Sequence, residues 1–228
     1  TTDIPGGGYR FGSQPQVALW NLARFANALL PLVGKTEPFE EGLQLYSACY
    51  QQQWQLMMTQ KLGLQRFEPE TDLALVNDLD RVLQLTETDM TIFFRRLADL
   101  DTCNDQTDEQ LMTPLLDAYY QPEKLTVQTR EQICSWLRSY LQRLAADTWD
   151  PVTRQQVMNS VNPKYVLRNY LSQMAIDRAE TGDFSLVNRL LEVMRHPYAD
   201  QPHYEEFAGK RPEWARHRPG CSALSCSS

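Results

Sequence analysis

The sequence predicts an all-α protein. Three observations carry this. Apolar residues recur at helical spacing through most of the 228 residues. Proline, glycine and small polar residues stand at the ends of those stretches. No alternating apolar–polar run of useful length occurs, so strands have no signal.

After Pro15, the residues Val17, Leu19, Trp20, Leu22, Ala23, Phe25, Ala26, Leu29 and Leu30 cover most of a helix circumference. A helix of that kind is expected to be buried on more than one side. Pro38 and the acidic pair Glu40 and Glu41 open a second helix that runs to about Leu62, with Gly63 as its stop. Its stripe holds Leu43, Tyr46, Cys49, Tyr50, Trp54, Met57, Met58 and Leu62, and core packing explains it better than a cofactor pocket. Pro69 opens a third helix through Leu73, Val76, Leu79, Val82 and Leu83. Thr88 or Asp89 caps a fourth with Ile92, Phe93, Leu97 and Leu100. Thr107 starts a fifth that Pro114 is placed to bend. A long helix is expected from Pro122 to about Ala146. Asn162 and Pro163 are then expected to open a helix running to Gly182, and Asp183 to cap another over Phe184–Met194. Prolines 197, 202, 212 and 219 break regular structure beyond His196. Residues 1–195 therefore read as a helical lobe and 196–228 as an irregular, proline-rich tail.

Composition narrows the function. A net charge of −7 and a pI near 5.0 leave no domain-wide basic surface for a nucleic acid. No apolar run approaches the ~20 residues of a membrane span, and residues 1–30 lack the order of a signal peptide. Five cysteines, an odd number, fit a reducing compartment, so a cytoplasmic protein is expected. The chain opens TTDIPGGGYRFG without an initiating Met, as a piece of something longer would.

Candidate chemistry is sparse. Gly6, Gly7 and Gly8 lack the following Lys-Ser/Thr of a phosphate loop and read as a flexible stretch. His196, His203, His217, Cys221 and Cys226 follow one another at gaps of seven, fourteen, four and five, which is no zinc pattern. Asp78/Asp80 and Glu87/Asp89 sit two apart, on different helix faces, as a solvated surface would. The closing PGCSALSCSS sets Cys221 and Cys226 on what reads as a tail with nothing to pack against. A prenyl anchor needs cysteine fourth from the end, where Ser225 stands. A redox role, in which one thiol resolves a sulfenic acid on the other, stays open beside two inert thiols.

Several stretches together resemble one family. YRFGSQPQVALWNL is similar to the Y-x-F-x-x-Q-P-x-x-x-x-W-N-L segment of the selenoprotein O family, also called YdiU or UPF0061. Tyr9, Phe11, Gln14, Pro15, Trp20, Asn21 and Leu22 carry it. A second block, N-P-x-x-V-L-R-N, is matched by Asn162, Pro163, Val166, Leu167, Arg168 and Asn169, and HPYAD, RPEW (Arg211–Trp214) and SCSS follow in order. The resemblance implies a protein-kinase-like enzyme that moves AMP from ATP, with magnesium, onto hydroxyl side chains of other proteins. It further implies that the nucleotide- and metal-binding half precedes Thr1, so that no catalytic, cofactor or metal residue falls in this chain and the chain alone is inactive. Residues 1–15 would then end an activation-segment-like loop. Its partners would be that catalytic half and the substrate proteins, in a bacterial cytoplasm. Cys226 takes the place of the family's selenocysteine or cysteine, implied to be a redox latch, and Cys221 is the weaker candidate. A stand-alone helical interaction module and a thiol-based redox protein are the alternatives.

Overall fold

The structure is a computed structural model that describes residues 11–102 and 105–221. The described chain is all-α, as the sequence predicts. In order it forms α1 (Gln14–Val33), α2 (Glu37–Lys61), α3 (Pro69–Leu83), α4 (Met90–Leu97), α5 (Asp108–Met112), α6 (Val127–Leu144), α7 (Pro151–Val161), α8 (Asn169–Ala179) and α9 (Ser185–Arg195). Short 3-10 turns lie at Phe11–Ser13, Thr113–Ala118, Pro122–Lys124, Pro202–Phe207 and Glu213–Ala215. Among the described residues, the β-structure amounts to an isolated antiparallel bridge between Thr88 and Tyr119. The residues fall into two compact units that divide between Leu56 and Met57, within α2.

Local chemistry sets the boundaries. Pro69 stands in the first turn of α3, where its missing N–H costs nothing. The Asp89 side chain accepts from Ile92 N at 3.1 Å and starts α4. Thr107 and Gln110 form a reciprocal capping box on α5, and the helix gives way at Thr113–Pro114 to a 3-10 turn. Asp150 accepts from the N–H groups of Val152 and Thr153 at the start of α7.

Four expectations are corrected. The helix expected from Pro122 instead begins at Val127, because Thr126 is extended and its hydroxyl accepts from Thr129 N at 3.1 Å. Helix α7 was not anticipated: its polar sequence carries a weak apolar stripe. Asn162 and Pro163 open no helix. Residues 163–168 run as a connector whose Lys164 and Tyr165 N–H groups both donate to Pro197 O, and α8 starts only at Asn169. Finally, α1 has no buried residue, and in α2 only Met58 and Thr59 are buried.

The core of the second unit is built on α6. Ile133, Trp136, Leu137, Tyr140, Leu141 and Leu144 recur at three- and four-residue spacing and are buried. Trp136 stacks on Tyr140 with ring centroids 5.3 Å apart, and Phe93 of α4 packs at 6.3 Å from Trp136. The polar tips are satisfied: Trp136 Nε1 donates to Leu75 O at 2.9 Å and Tyr140 Oη to Leu62 O at 2.7 Å. Burial pushes the Tyr140 phenol up to about 12, so it remains a donor at every ordinary pH. Asp72 of α3 is fully buried and receives Arg143 of α6 through Nε at 2.7 Å and Nη2 at 3.3 Å. Arg154 of α7 is 4% exposed and donates to Ala98 O and Leu100 O at the end of α4. A second cluster joins Tyr165, Tyr170, Leu171, Leu186, Leu190, Val193, Phe207 and Cys221.

Gly63 turns the chain out of α2 with φ +63°, and a Cβ there would stand 2.7 Å from Arg154 Cγ and 2.8 Å from Met158 Sδ. Gly34 has a similar φ of +72° but open space around it. Gly63→Ala is expected to lose about 2–4 kcal/mol, combining left-handed strain with overpacking. Gly34→Ala should lose only about 1 kcal/mol. Urea unfolding of the two variants checks this, and equal losses would contradict it.

Candidate functional site

Arg168 and Arg211, from two of the motif blocks in the second unit, meet at a small junction. Asp89 N donates to Ala118 O at 2.8 Å and Tyr120 N to Glu87 O at 3.1 Å, which makes the Thr88–Tyr119 bridge. This pins the start of α4 to the chain just after the Thr113–Ala118 turn. Asp89 is 4% exposed, and besides capping α4 it receives both terminal nitrogens of Arg168: Nη2 reaches Oδ1 at 3.0 Å and Nη1 pairs with Oδ2. Arg168 is the extended residue immediately before α8. A bidentate pair of this kind fixes the direction of the chain as well as its distance.

Two residues earlier, Glu87 holds the C-terminal segment. Its two carboxylate oxygens accept from Arg211 Nη2 and Arg216 Nη2, each at 2.7 Å. Burial pushes the Glu87 carboxyl up, but the hydrogen bonds and charges of Arg216 and then Arg211 outweigh it and hold the group below the usual carboxylate range. Lys210 Nζ donates to Tyr119 O at 2.7 Å, Arg211 N donates to the Tyr120 hydroxyl at 3.2 Å, and the Arg211 guanidinium lies 5.2 Å from the Tyr120 ring. Further on, Trp214 meets Tyr170 edge-on at 6.2 Å, and Arg218 pairs with both oxygens of Asp177 of α8 at 2.9 and 2.7 Å. The Gln173 amide and then Arg218 hold the Asp177 carboxyl low. The segment arrives at Cys221, which is 5% exposed within the second cluster. The expectation that this thiol hangs on a tail with nothing to pack against is thus corrected: arginines placed along the proline-broken stretch tie it down.

The other predicted residues are spread out. Asn162 is buried and grips Lys61 twice, its Nδ2 donating to Lys61 O at 3.0 Å and its Oδ1 accepting from Lys61 Nζ at 2.8 Å. Lys61 Nζ lies 4.0 Å from the centroid of the Phe94 ring, and burial lowers its pKa. Pro163 follows in the wall of the small cavity beside it. Asn169 is exposed at the start of α8. In the first unit, Gln14 and Pro15 open α1 and the Pro15 carbonyl accepts from the Tyr46 hydroxyl at 3.0 Å. Trp20 and Asn21 are exposed, with Arg24 stacked 4.9 Å over the Trp20 ring. Tyr9 and Cys226 lie outside the described residues, as does Cys103. The two-residue spacing suggests a solvated surface, which holds for Glu87, exposed although it pairs with two arginines, and fails for Asp89, which is buried. The cap signal at Asp89 was the one clue that this carboxylate had a fixed place.

A polar cleft of about 410 Å³ opens beside this junction, between α4, α7 and residues 198–210. Its cations are each engaged: Arg95 by Asp200 and three carbonyls, Arg96 by Asp99 and Asp117, Lys164 by Asp200 and Glu205, and Lys210 by the Tyr119 carbonyl. An incoming phosphate would have to displace a carboxylate from Arg95, Arg96 and Lys164. Among the described residues, no group of three or more His, Cys, Asp or Glu side chains could hold a metal ion. No helix of the described chain is long and apolar enough to cross a membrane. The junction is built to fix helices and the C-terminal segment.

Comparison with known proteins is consistent along the whole chain. The family described as "Protein adenylyltransferase SelO" matches residues 2–195. A protein of Rhodopirellula baltica named protein nucleotidyltransferase YdiU is 52% identical over 239 aligned positions that take in all of this chain and 44% of that protein. Proteins of the same name from Aromatoleum aromaticum and Flavobacterium johnsoniae are 50% and 44% identical, again over all of this chain and 42% and 43% of theirs. The chain thus spans less than half the length of the curated relatives it matches.

Both carboxylates that hold the C-terminal segment have lowered pKa values, so their contribution is complete above the ordinary carboxylate range and is lost as pH falls through the depressed values, below about pH 4. Labelling with 4,4′-dithiodipyridine, which reacts with thiols in acid, should modify Cys221 at least tenfold more slowly than the exposed Cys49 at pH 7. The gap should close below pH 4. Glu87→Gln should narrow it already at pH 7. Equal rates for the two thiols at pH 7 would contradict the account.

Proposed function

Because the chain belongs to the SelO family of protein adenylyltransferases, we propose that it is the helical part of an enzyme that transfers AMP from ATP to hydroxyl side chains of proteins. The observation that carries this reading is the family match over residues 2–195, supported by relatives about half identical along its full length. The polar cleft offers a magnesium-bound nucleotide little: its cations are committed to carboxylates and carbonyls, and among the described residues no group of three or more His, Cys, Asp or Glu side chains could hold a metal ion. On this reading the chemistry belongs to the part of the full-length protein that lies outside this match, which the resemblance to the family puts ahead of Thr1. This chain's share is mechanical. Arg168 and Asp89 set α8 against α4, and Glu87 fixes the segment that leads to the terminal cysteines.

On this reading Cys226 is a redox latch: a two-electron oxidant such as a peroxide joins its thiol in a disulfide to a cysteine of the part ahead of Thr1, which restrains the enzyme until a dithiol reduces the bond, and Cys221 is its anchor. The burial of Cys221 supports the second role, since a thiol within a packed cluster is poorly placed to exchange with another.

With radiolabelled ATP and an acceptor protein, the chain alone should incorporate no label. A chimera carrying the unmatched part of the Rhodopirellula relative ahead of Thr1 should incorporate it. Dithiothreitol should raise the chimera's rate severalfold. Cys226→Ser should run at the reduced rate without reductant, while Cys221→Ser should still respond. A silent chimera beside an active Rhodopirellula enzyme would overturn the reading, and a reductant response that survives Cys226→Ser would overturn the latch.

A further inference from the structure

The first unit holds a contradiction between sequence and burial. Thirteen of the 20 residues of α1 are apolar and they surround the helix, the pattern of a helix enclosed by protein. Yet no described residue before Met58 is buried. Trp20 is 56% exposed, Phe25 61% and Leu32 83%, with Leu22, Val33 and Leu45 exposed as well. Isolated exposed apolar residues are ordinary, but a contiguous set on a 20-residue helix marks a contact surface. Between α1 and α2 lies an apolar groove of about 370 Å³, walled by Pro15, Leu19, Tyr46, Tyr50 and Trp54. The Tyr46 hydroxyl ties it together by donating to Pro15 O, so the groove is preformed.

We propose that α1 and the first half of α2 form a docking surface whose occupant is the folded portion of a full-length family member that lies outside the match with this chain. The size of that portion argues for it: the relatives carry more than half their length beyond the aligned region, while the aligned region includes α1. The chemistry argues for it too. The groove is lined by aromatic and aliphatic side chains and takes an apolar side chain of the partner, while Trp20 and Phe25 supply anchors that are large, stiff and costly to leave in water. Charge is thin along α1, where Arg24 is the lone ionisable side chain and is itself folded over Trp20. Such a surface suits permanent intramolecular packing better than a transient encounter. The inference rests on family membership and is independent of which reaction the whole protein performs.

The test co-expresses this chain with the unmatched portion of the Rhodopirellula relative, only one of the two carrying an affinity tag. The two should co-purify in a 1:1 complex, and Trp20→Glu with Phe25→Glu should abolish capture while leaving the circular dichroism of the chain unchanged. A second measurement covers a portion that does not fold apart. In hydroxyl-radical footprinting, Trp20, Phe25 and Leu32 should be oxidised in this chain alone, and the aligned positions of the full-length relative should be protected at least fivefold. Equal oxidation in both proteins would overturn the proposal. So would a chain that forms a homodimer through Trp20 and Phe25 and ignores the other portion, which would make a second copy the occupant.

Discussion

The buried pair between Asp89 and Arg168 is the constraint on which the arrangement of the second unit depends. One carboxylate caps α4, accepts a two-pronged guanidinium from the residue before α8, and sits on a residue whose own N–H is bound to Ala118 O. Desolvating a carboxylate is costly, and only this full set of partners offsets it. The consequence is geometric. With Asp89 fixed, the bridge to Tyr119 is fixed, and Glu87 presents both oxygens to Arg211 and Arg216. A proline-broken stretch with little helical potential is thereby held in place by ionic contacts spaced along it, the last of them Arg218 on Asp177.

How much of this could be read from the sequence follows the range of the physics involved. Caps and stops are local, so Pro69, Asp89, Thr107 and Gly63 mark helix ends in both sequence and structure. The stripe of α6 is long and regular, and its core was legible from Ile133 to Leu144. Reading failed where a distant partner overrides a local preference. Asn162 looks like a helix cap, but its amide is bound to Lys61, 101 residues away, and Pro197 O takes the Lys164 and Tyr165 N–H groups that a capping side chain would have bound. Asp89 reads as solvated but is buried, and exposed Glu87 is not free, because their partners lie 79 to 129 residues along the chain. The burial expected for α1 failed differently: the signal for a partner was present and no residue of the helix is buried.

These features divide the labour expected within a family of adenylyltransferases. In the polar cleft of the second unit, Arg95, Arg96 and Lys164 are paired with carboxylates of the same unit and Lys210 with a carbonyl, as the proposed supporting role asks. The first unit presents apolar surface, the currency of permanent packing. Residues of the blocks that resemble the family fall in both: Arg168 and Arg211 build the junction, while Trp20 and Asn21 are exposed on α1.

A double-mutant cycle on Asp89→Asn and Arg168→Met, read by urea unfolding of this chain, tests the central claim most directly. Removing either partner strands the other in a buried place, so each single change should lose about 3–5 kcal/mol. The double variant should lose no more than either single one, a coupling of at least about 3 kcal/mol, at or above the usual range for contacting residues. Additive losses, or single losses below about 1 kcal/mol as for an exposed pair, would contradict the claim that this one contact sets the position of α8 and of the segment beyond it.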